Sequence, residues 1–272
     1  MGEARGSWRR NVSLAVGWLV DRPVPRPLRG PLYRGYARVT GADVGEARGP
    51  IEMYPNLGAF FVRRLVDGAR SWPADPSVLP APCDGRLQAF GRVQSGSLLQ
   101  AKGQSYSVAE FLGDAAEGVD LDDALAITIY LSPRDYHRVH CPVAATLARA
   151  AWLGAGRYSV APAVLLRQPR VFVENERVAL RMESPRGAYF AVLVGALNVG
   201  RLRVVGLEPG ASTPSRRDAS FRRGEELGRF EMGSTTVLVF PRGPGQPELR
   251  PGLEPGAPVR MGQPLARFAP GS

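Results

Sequence analysis

Glycine and proline punctuate this chain so often that a bundle of long helices is disfavoured. They number 32 and 25 in 272 residues, and the stretches between them are short and apolar. Such punctuation favours a turn-rich, mainly β architecture over a helical bundle. Leu125 to Leu131, Leu202 to Leu207, Thr235 to Phe240 and Pro264 to Phe268 read as strands. Arg177 to Met182 and Tyr189 to Val194 flank the turn Ser184-Pro185-Arg186-Gly187 and read as a hairpin. The fold class expected is α+β, a largely antiparallel β core with helices on the N-terminal side.

Two N-terminal segments read as helical. Residues 7–21 can place Trp8, Val12, Leu14, Ala15, Trp18 and Leu19 on one broad apolar face, with Arg9, Arg10 and Asn11 near one end. Tryptophan with arginine suits a helix lying in a bilayer interface, and an ordinary docking helix remains the alternative. The apolar run Val12 to Val20 is much shorter than the roughly 20 residues a spanning helix needs, and no secretory cleavage site follows it. Asp21 to Pro27 then reads as a stiff linker, which sets a boundary near residue 26. Asn56 to Val66 predicts an aromatic helix with Leu57, Phe60, Phe61 and Leu65 inward and Arg63 and Arg64 outward.

The net charge is +10, almost all from arginine, since Lys102 is the only lysine. That surplus favours an anionic partner, either a phospholipid surface or nucleic acid. Aromatic sheet motifs and a GXXG loop are absent from the sequence, which argues against nucleic acid. Cys83 and Cys141 form neither a metal-ligand pattern nor a disulfide framework, as expected for a reducing cytoplasm.

Both histidines of the chain fall in one run, Tyr130-Leu131-Ser132-Pro133-Arg134-Asp135-Tyr136-His137-Arg138-Val139-His140. Asp84 lies in the turn Pro82-Cys83-Asp84-Gly85, and Ser234 follows Gly233 at the start of an apolar strand. Asp84, His140 and Ser234 are the residue types of a nucleophile relay, in which an imidazole takes the serine proton and a carboxylate orients the imidazole. Chain order leaves that geometry open. Ser234 is not in a Gly-x-Ser-x-Gly elbow, and a plain Gly-Ser-Thr turn is the alternative. A metal at His137 and His140 would lack the further ligands that zinc wants, so no metal is expected.

These segments resemble the phosphatidylserine decarboxylase proenzymes. Tyr130 to His140 carries the resemblance most specifically. Asn56 to Leu65, Pro82 to Gly85, Lys102 to Ser107, Val194 to Gly200 and Gly224 to Thr235 add to it. Met232 stands where the cleavage motif commonly has leucine, a change that keeps bulk and apolarity. The resemblance implies cleavage between Gly233 and Ser234, giving a β chain to residue 233 and an α chain of residues 234–272. It implies that Ser234, activated by His140 with Asp84 behind it, attacks the Gly233 carbonyl and becomes a pyruvoyl group. That group would hold phosphatidylserine as a Schiff base while CO₂ leaves. His137 is implied as the group that returns a proton, a role suited to an imidazole near its ordinary pKa of about 6.5. The expected setting is an α/β heterodimer, paired as a homodimer, on the anionic cytoplasmic face of a bacterial membrane, anchored by residues 7–21 or by the aromatic helix. Two alternatives stand beside it: a pyruvoyl decarboxylase of another substrate, and a carrier-like binding module. The module is suggested by the spacing of Gly256, Val259, Gly262 and Leu265, although no modifiable lysine lies there.

Overall fold

The structure, a computed structural model, describes residue 18 and residues 20–101, 104–196, 202–213, 219–231 and 234–270. Most of the expected helix 7–21, as well as Lys102, Met232 and Gly233, lies outside the described residues.

Antiparallel sheet dominates. In chain order the strands are β1 (Val78–Pro80), β2 (Gly85–Arg92), β3 (Ser97–Ala101), β4 (Gln104–Ser107), β5 (Leu125–Leu131) and β6 (Arg138–His140). They continue with β7 (Ala145–Leu153), β8 (Arg177–Ser184), β9 (Gly187–Gly195), β10 (Leu202–Val204) and β11 (Ser220–Phe221). β12 (Glu226–Phe230), β13 (Ser234–Phe240), β14 (Glu248–Leu249), β15 (Pro258–Val259) and β16 (Pro264–Arg267) complete the set. The principal sheet has eight strands in the order β11-β7-β8-β9-β13-β5-β2-β15. Smaller sheets, β10-β12-β6 and β1-β16-β14, pair around it.

β13 sits between β9 and β5, and all seven of its residues are buried. Successive side chains in a strand point to opposite faces. Leu238 and Phe240 accordingly join one core cluster with Leu87, Ile127, Ile129 and Leu193. Val237 and Val239 join the other, with Phe111, Phe172, Phe190 and Val192. Both faces of the sheet are covered, so its central strands read as unbroken apolar runs. By the same parity Ser234 and Thr236 face the first cluster, which also holds Cys83, Val139 and Cys141, and Thr235 faces the second.

The expected hairpin is β8–β9, paired from Arg177↔Val194 to Ser184↔Gly187. The strand expected over 202–207 ends at Val204, where the chain turns so that Val204 bridges Leu207. The aromatic helix is shorter than predicted. It spans Leu57–Phe61, capped by the Asn56 side chain accepting from the Ala59 N–H. Residues beyond it peel away to pair with an earlier segment: Leu65 bridges Ala47, and the Arg48 and Val66 N–H groups donate to Arg64 and Glu46 carbonyls. That departure from helical spacing turns Arg63 inward, and the side chain expected at the surface is 3% exposed.

An additional helix, Arg26–Thr40, follows the linker, with prolines at its start and Gly41 closing it in the left-handed conformation. Tyr33 anchors it, stacked on Phe60 at 5.0 Å. The carrier-like spacing at 256–265 resolves into strand β15, a turn at Gly262 and strand β16.

Candidate functional site

The histidine run owes its shape to Asp135. β5 ends at Leu131, Pro133 starts a turn, and the Asp135 carboxylate reaches back to accept from both the N–H and the hydroxyl of Ser132, each at 2.7 Å. The Asp135 carbonyl then accepts from His137 Nδ1 at 2.8 Å. A carbonyl can only accept, so Nδ1 carries the proton and Nε2 is left as a bare lone pair. His137 is fully buried, its ring lies 3.9 Å from that of Phe61, and Nε2 has no partner. Burial, helped by the charge of Arg63, lowers its pKa to about 3. The ordinary imidazole pKa assumed from sequence therefore does not hold in the folded chain, where His137 is neutral at pH 7.

His140 ends β6. Its Nδ1–H donates to the Gly224 carbonyl at 2.8 Å, and Nε2 accepts from the Tyr136 hydroxyl at 3.0 Å. Burial lowers its pKa too, partly offset by the Gly224 bond and by the charges of Glu226 and Asp84. Asp84 is buried beside it but is engaged elsewhere. It accepts from Arg70 Nε at 2.9 Å, from Arg70 Nη2 at 2.5 Å and from the Met261 N–H at 2.8 Å. Arg70 also clasps Glu46. Gly85 lets this turn press against β5, because a Cβ there would meet the Tyr130 carbonyl at 2.4 Å.

Ser234 opens β13, paired with Leu131 and Gly195, and its Oγ is buried without a partner. Backbone pairing brings the pieces to one end of the sheet. The His140 N–H donates to Pro82, beside Asp84, and the Phe230 N–H, just before the segment leading to Ser234, donates to the His137 carbonyl. Asp84, His137, His140 and Ser234 thus gather at one locale, but the relay drawn from sequence is not hydrogen-bonded in this arrangement. Asp84 acts on His140 through its charge, and both ring nitrogens of His140 have other partners.

A cleft of about 430 Å³ opens above His140 and Tyr136, with Arg48, Arg64 and Arg70 on its walls. Sequence reasoning missed Arg70, Tyr136, Gly224 and Met261 as supports of the site. No group of residues able to hold a metal ion occurs among the described residues.

Comparison with known proteins gives the family of the chain as a whole. The family profile described as phosphatidylserine decarboxylase matches residues 57–267. A phosphatidylserine decarboxylase proenzyme of Xanthomonas campestris pv. campestris (strain B100) is 39% identical over 242 residues, covering 85% of this chain and 84% of its own. The proenzyme of Xanthomonas oryzae pv. oryzae (strain MAFF 311018) is 39% identical over 259 residues, 91% of this chain and 89% of its own. That of Pseudomonas aeruginosa (strain LESB58) is 39% identical over 264 residues, 92% and 87% respectively. With its profile match across the sheet and the site, the chain belongs to the phosphatidylserine decarboxylase family.

Proposed function

We propose that this chain cuts itself between Gly233 and Ser234 and then removes the carboxylate of phosphatidylserine as CO₂, leaving phosphatidylethanolamine. The observation that carries the reading is Ser234 Oγ, buried and unpartnered at the head of a core strand. Leaving a buried hydroxyl without a hydrogen bond costs about 1–3 kcal/mol, so a packing role would be served better by alanine. Thr235 and Thr236 bury unpartnered hydroxyls too, so what sets Ser234 apart is its place directly after Gly233, at the same end of the sheet as His137 and His140.

In the cut, Ser234 Oγ attacks the Gly233 carbonyl and His140 Nε2 receives its proton, which requires the Tyr136 bond to open. The Gly233–Ser234 C–N bond breaks to leave an ester. Loss of the Ser234 Cα proton and of its Cβ–O bond then frees Gly233 as a carboxylate and leaves residue 234 as dehydroalanine, and water replaces its nitrogen, released as ammonia, with the ketone oxygen. Gly224 holds Nδ1 so that the lone pair stays on Nε2. The charge of Asp84 favours the imidazolium that forms. The residues fit a pyruvoyl group at position 234, which supplies a ketone to hold the substrate amine and draw off the electrons freed as CO₂ leaves. His137 Nε2, a bare lone pair at rest, is the atom placed to carry the proton that the carbon needs once CO₂ has left, and the negative charge of the bound substrate favours the imidazolium that burial otherwise opposes. The two pieces stay together, because β13 is paired on both edges and buried on both faces.

The intact mass of the purified protein tests the reading. Two pieces are expected, the smaller spanning residues 234–272 and about 17 Da lighter than a serine-started peptide, together with CO₂ release from phosphatidylserine vesicles. One uncut mass from folded protein, with no CO₂, would move the binding-module reading to first place.

The reaction also needs contact with a lipid surface. On the helix Arg26–Thr40, Leu28, Leu32 and Val39 are exposed at helical spacing, Val39 at 87%, and Trp18, ahead of the helix in the chain, is exposed with the Arg22 guanidinium over its ring. Phe60 and Phe61 are buried, which favours the exposed side chains of Arg26–Thr40 over the aromatic helix as the contact. No helix among the described residues is long and apolar enough to cross a membrane, so the contact proposed is with the surface. Each side chain inserted into the acyl boundary contributes about 1.5–3 kcal/mol. Changing Leu28, Leu32 and Val39 together to serine should lower binding to anionic vesicles at least about tenfold, read by flotation, while the chain still cuts itself. Unchanged flotation would place the contact elsewhere.

A further inference from the structure

Arg63 is a buried cation whose bonding capacity is mostly unused. Its Nη2 donates to the Arg134 carbonyl at 3.2 Å, its guanidinium lies 5.2 Å from the centre of the Phe60 ring, and Nε and Nη1 have no partner. A buried charge is costly unless it is paired and hydrogen-bonded. The carboxylates whose charge it feels, Asp84 and Glu46, are both held by Arg70. Arg63 is also close enough to His137 for its charge to depress that histidine. His137 Nε2 and Ser234 Oγ, the other reacting atoms of the locale, are likewise buried and unpartnered.

We infer that Arg63 receives the phosphodiester of the lipid headgroup, with Nε and Nη1 as donors, and so sets the distance from the headgroup anchor to position 234. The inference rests on the function proposed above. Phosphatidylserine carries two anions, and the chemistry separates them. The carboxylate gives up its charge as CO₂ leaves, so a cation on it would stabilise the ground state more than the transition state and slow the reaction. The phosphodiester keeps its charge throughout, and a cation there orients the substrate without opposing the chemical step. Entry from the cleft above Tyr136 and His140, which Arg63 itself does not line, is part of the inference. The cleft's wall residues Arg64 and Tyr136 are chain neighbours of Arg63 and His137.

The product separates the two anions experimentally, because phosphatidylethanolamine keeps the phosphodiester and lacks the carboxylate. Short-chain phosphatidylethanolamine, below its micelle concentration, is titrated into the matured wild type, Arg63→Gln and Arg63→Lys, with complete cutting and circular dichroism as evidence of folding. The glutamine variant is expected to bind about tenfold or more weakly, and the lysine variant to keep part of the affinity. Equal affinity in wild type and Arg63→Gln overturns the assignment, and a fall in turnover alone would put Arg63 on the carboxylate. If the glutamine variant does not fold, the lysine variant decides, and undiminished affinity there overturns the assignment. A wild type that stays uncut and binds no phosphatidylethanolamine fails the parent reading as well, a result distinct from a normal wild type with a normal variant.

Discussion

Ser234→Ala is expected to yield one uncut chain of 272 residues that is folded and has no detectable decarboxylase activity. Because Ser234 Oγ has no hydrogen bond, its removal orphans no partner. The methyl group fits the same space, so stability should be unchanged or higher by up to about 1 kcal/mol. The effect is then chemical: without the hydroxyl there is no attack on Gly233, no cut and no ketone. Thr235→Val is the matching control. The Thr235 hydroxyl is also buried and unpartnered, but strand parity points it to the opposite face, toward the second core cluster. That variant should still cut. Intact mass on both variants decides, and cutting in Ser234→Ala would remove Ser234 from the chemistry altogether.

The strands were legible where burial on both faces made them unbroken apolar runs: β5, β13 and the β8–β9 hairpin lie close to where the sequence places them. The helix Arg26–Thr40 was not legible. Gly30, Pro31 and Gly35 interrupt it, and its outward face keeps Leu28, Leu32 and Val39, so no clean buried stripe marks it. Arg63 was misplaced because helical spacing was carried past Phe61, where pairing of Leu65 with Ala47 takes over. Scarcity of histidine pointed to His137 and His140, the turn at Pro82–Gly85 and the Gly233-Ser234 step offered Asp84 and Ser234 as relay candidates, and the family resemblance gave them their roles. The groups that hold them were invisible for a physical reason. Gly224 contributes a carbonyl and Met261 an N–H, atoms that every such residue has, across separations of 84 and 177 positions. Backbone contacts made by folding leave no trace in residue type.

His137→Asn is expected to separate maturation from turnover. The asparagine amide nitrogen can take the place of Nδ1 and keep the bond to the Asp135 carbonyl, while nothing replaces Nε2. Cutting should continue, and decarboxylation should fall about 10²- to 10⁴-fold, the range for loss of a positioned acid–base group. The same substitution reports on burial. The folded-state pKa of His137 is about 3, below the unfolded value of about 6.5. Between these values the unfolded chain binds the additional proton. The stability contributed by the neutral ring is therefore present above pH 6.5 and lost as pH falls toward 3, at about 1.4 kcal/mol per unit. Asparagine does not titrate. In a Ser234→Ala background, which keeps the chain in one piece, the histidine form should lose about 2 kcal/mol more than the asparagine form between pH 7 and pH 5. Urea midpoints at the two pH values measure this difference. Parallel losses would mean that His137 titrates near its ordinary pKa, and part of the population would then meet the substrate already protonated at Nε2 instead of gaining the proton only once the substrate's charge is beside it.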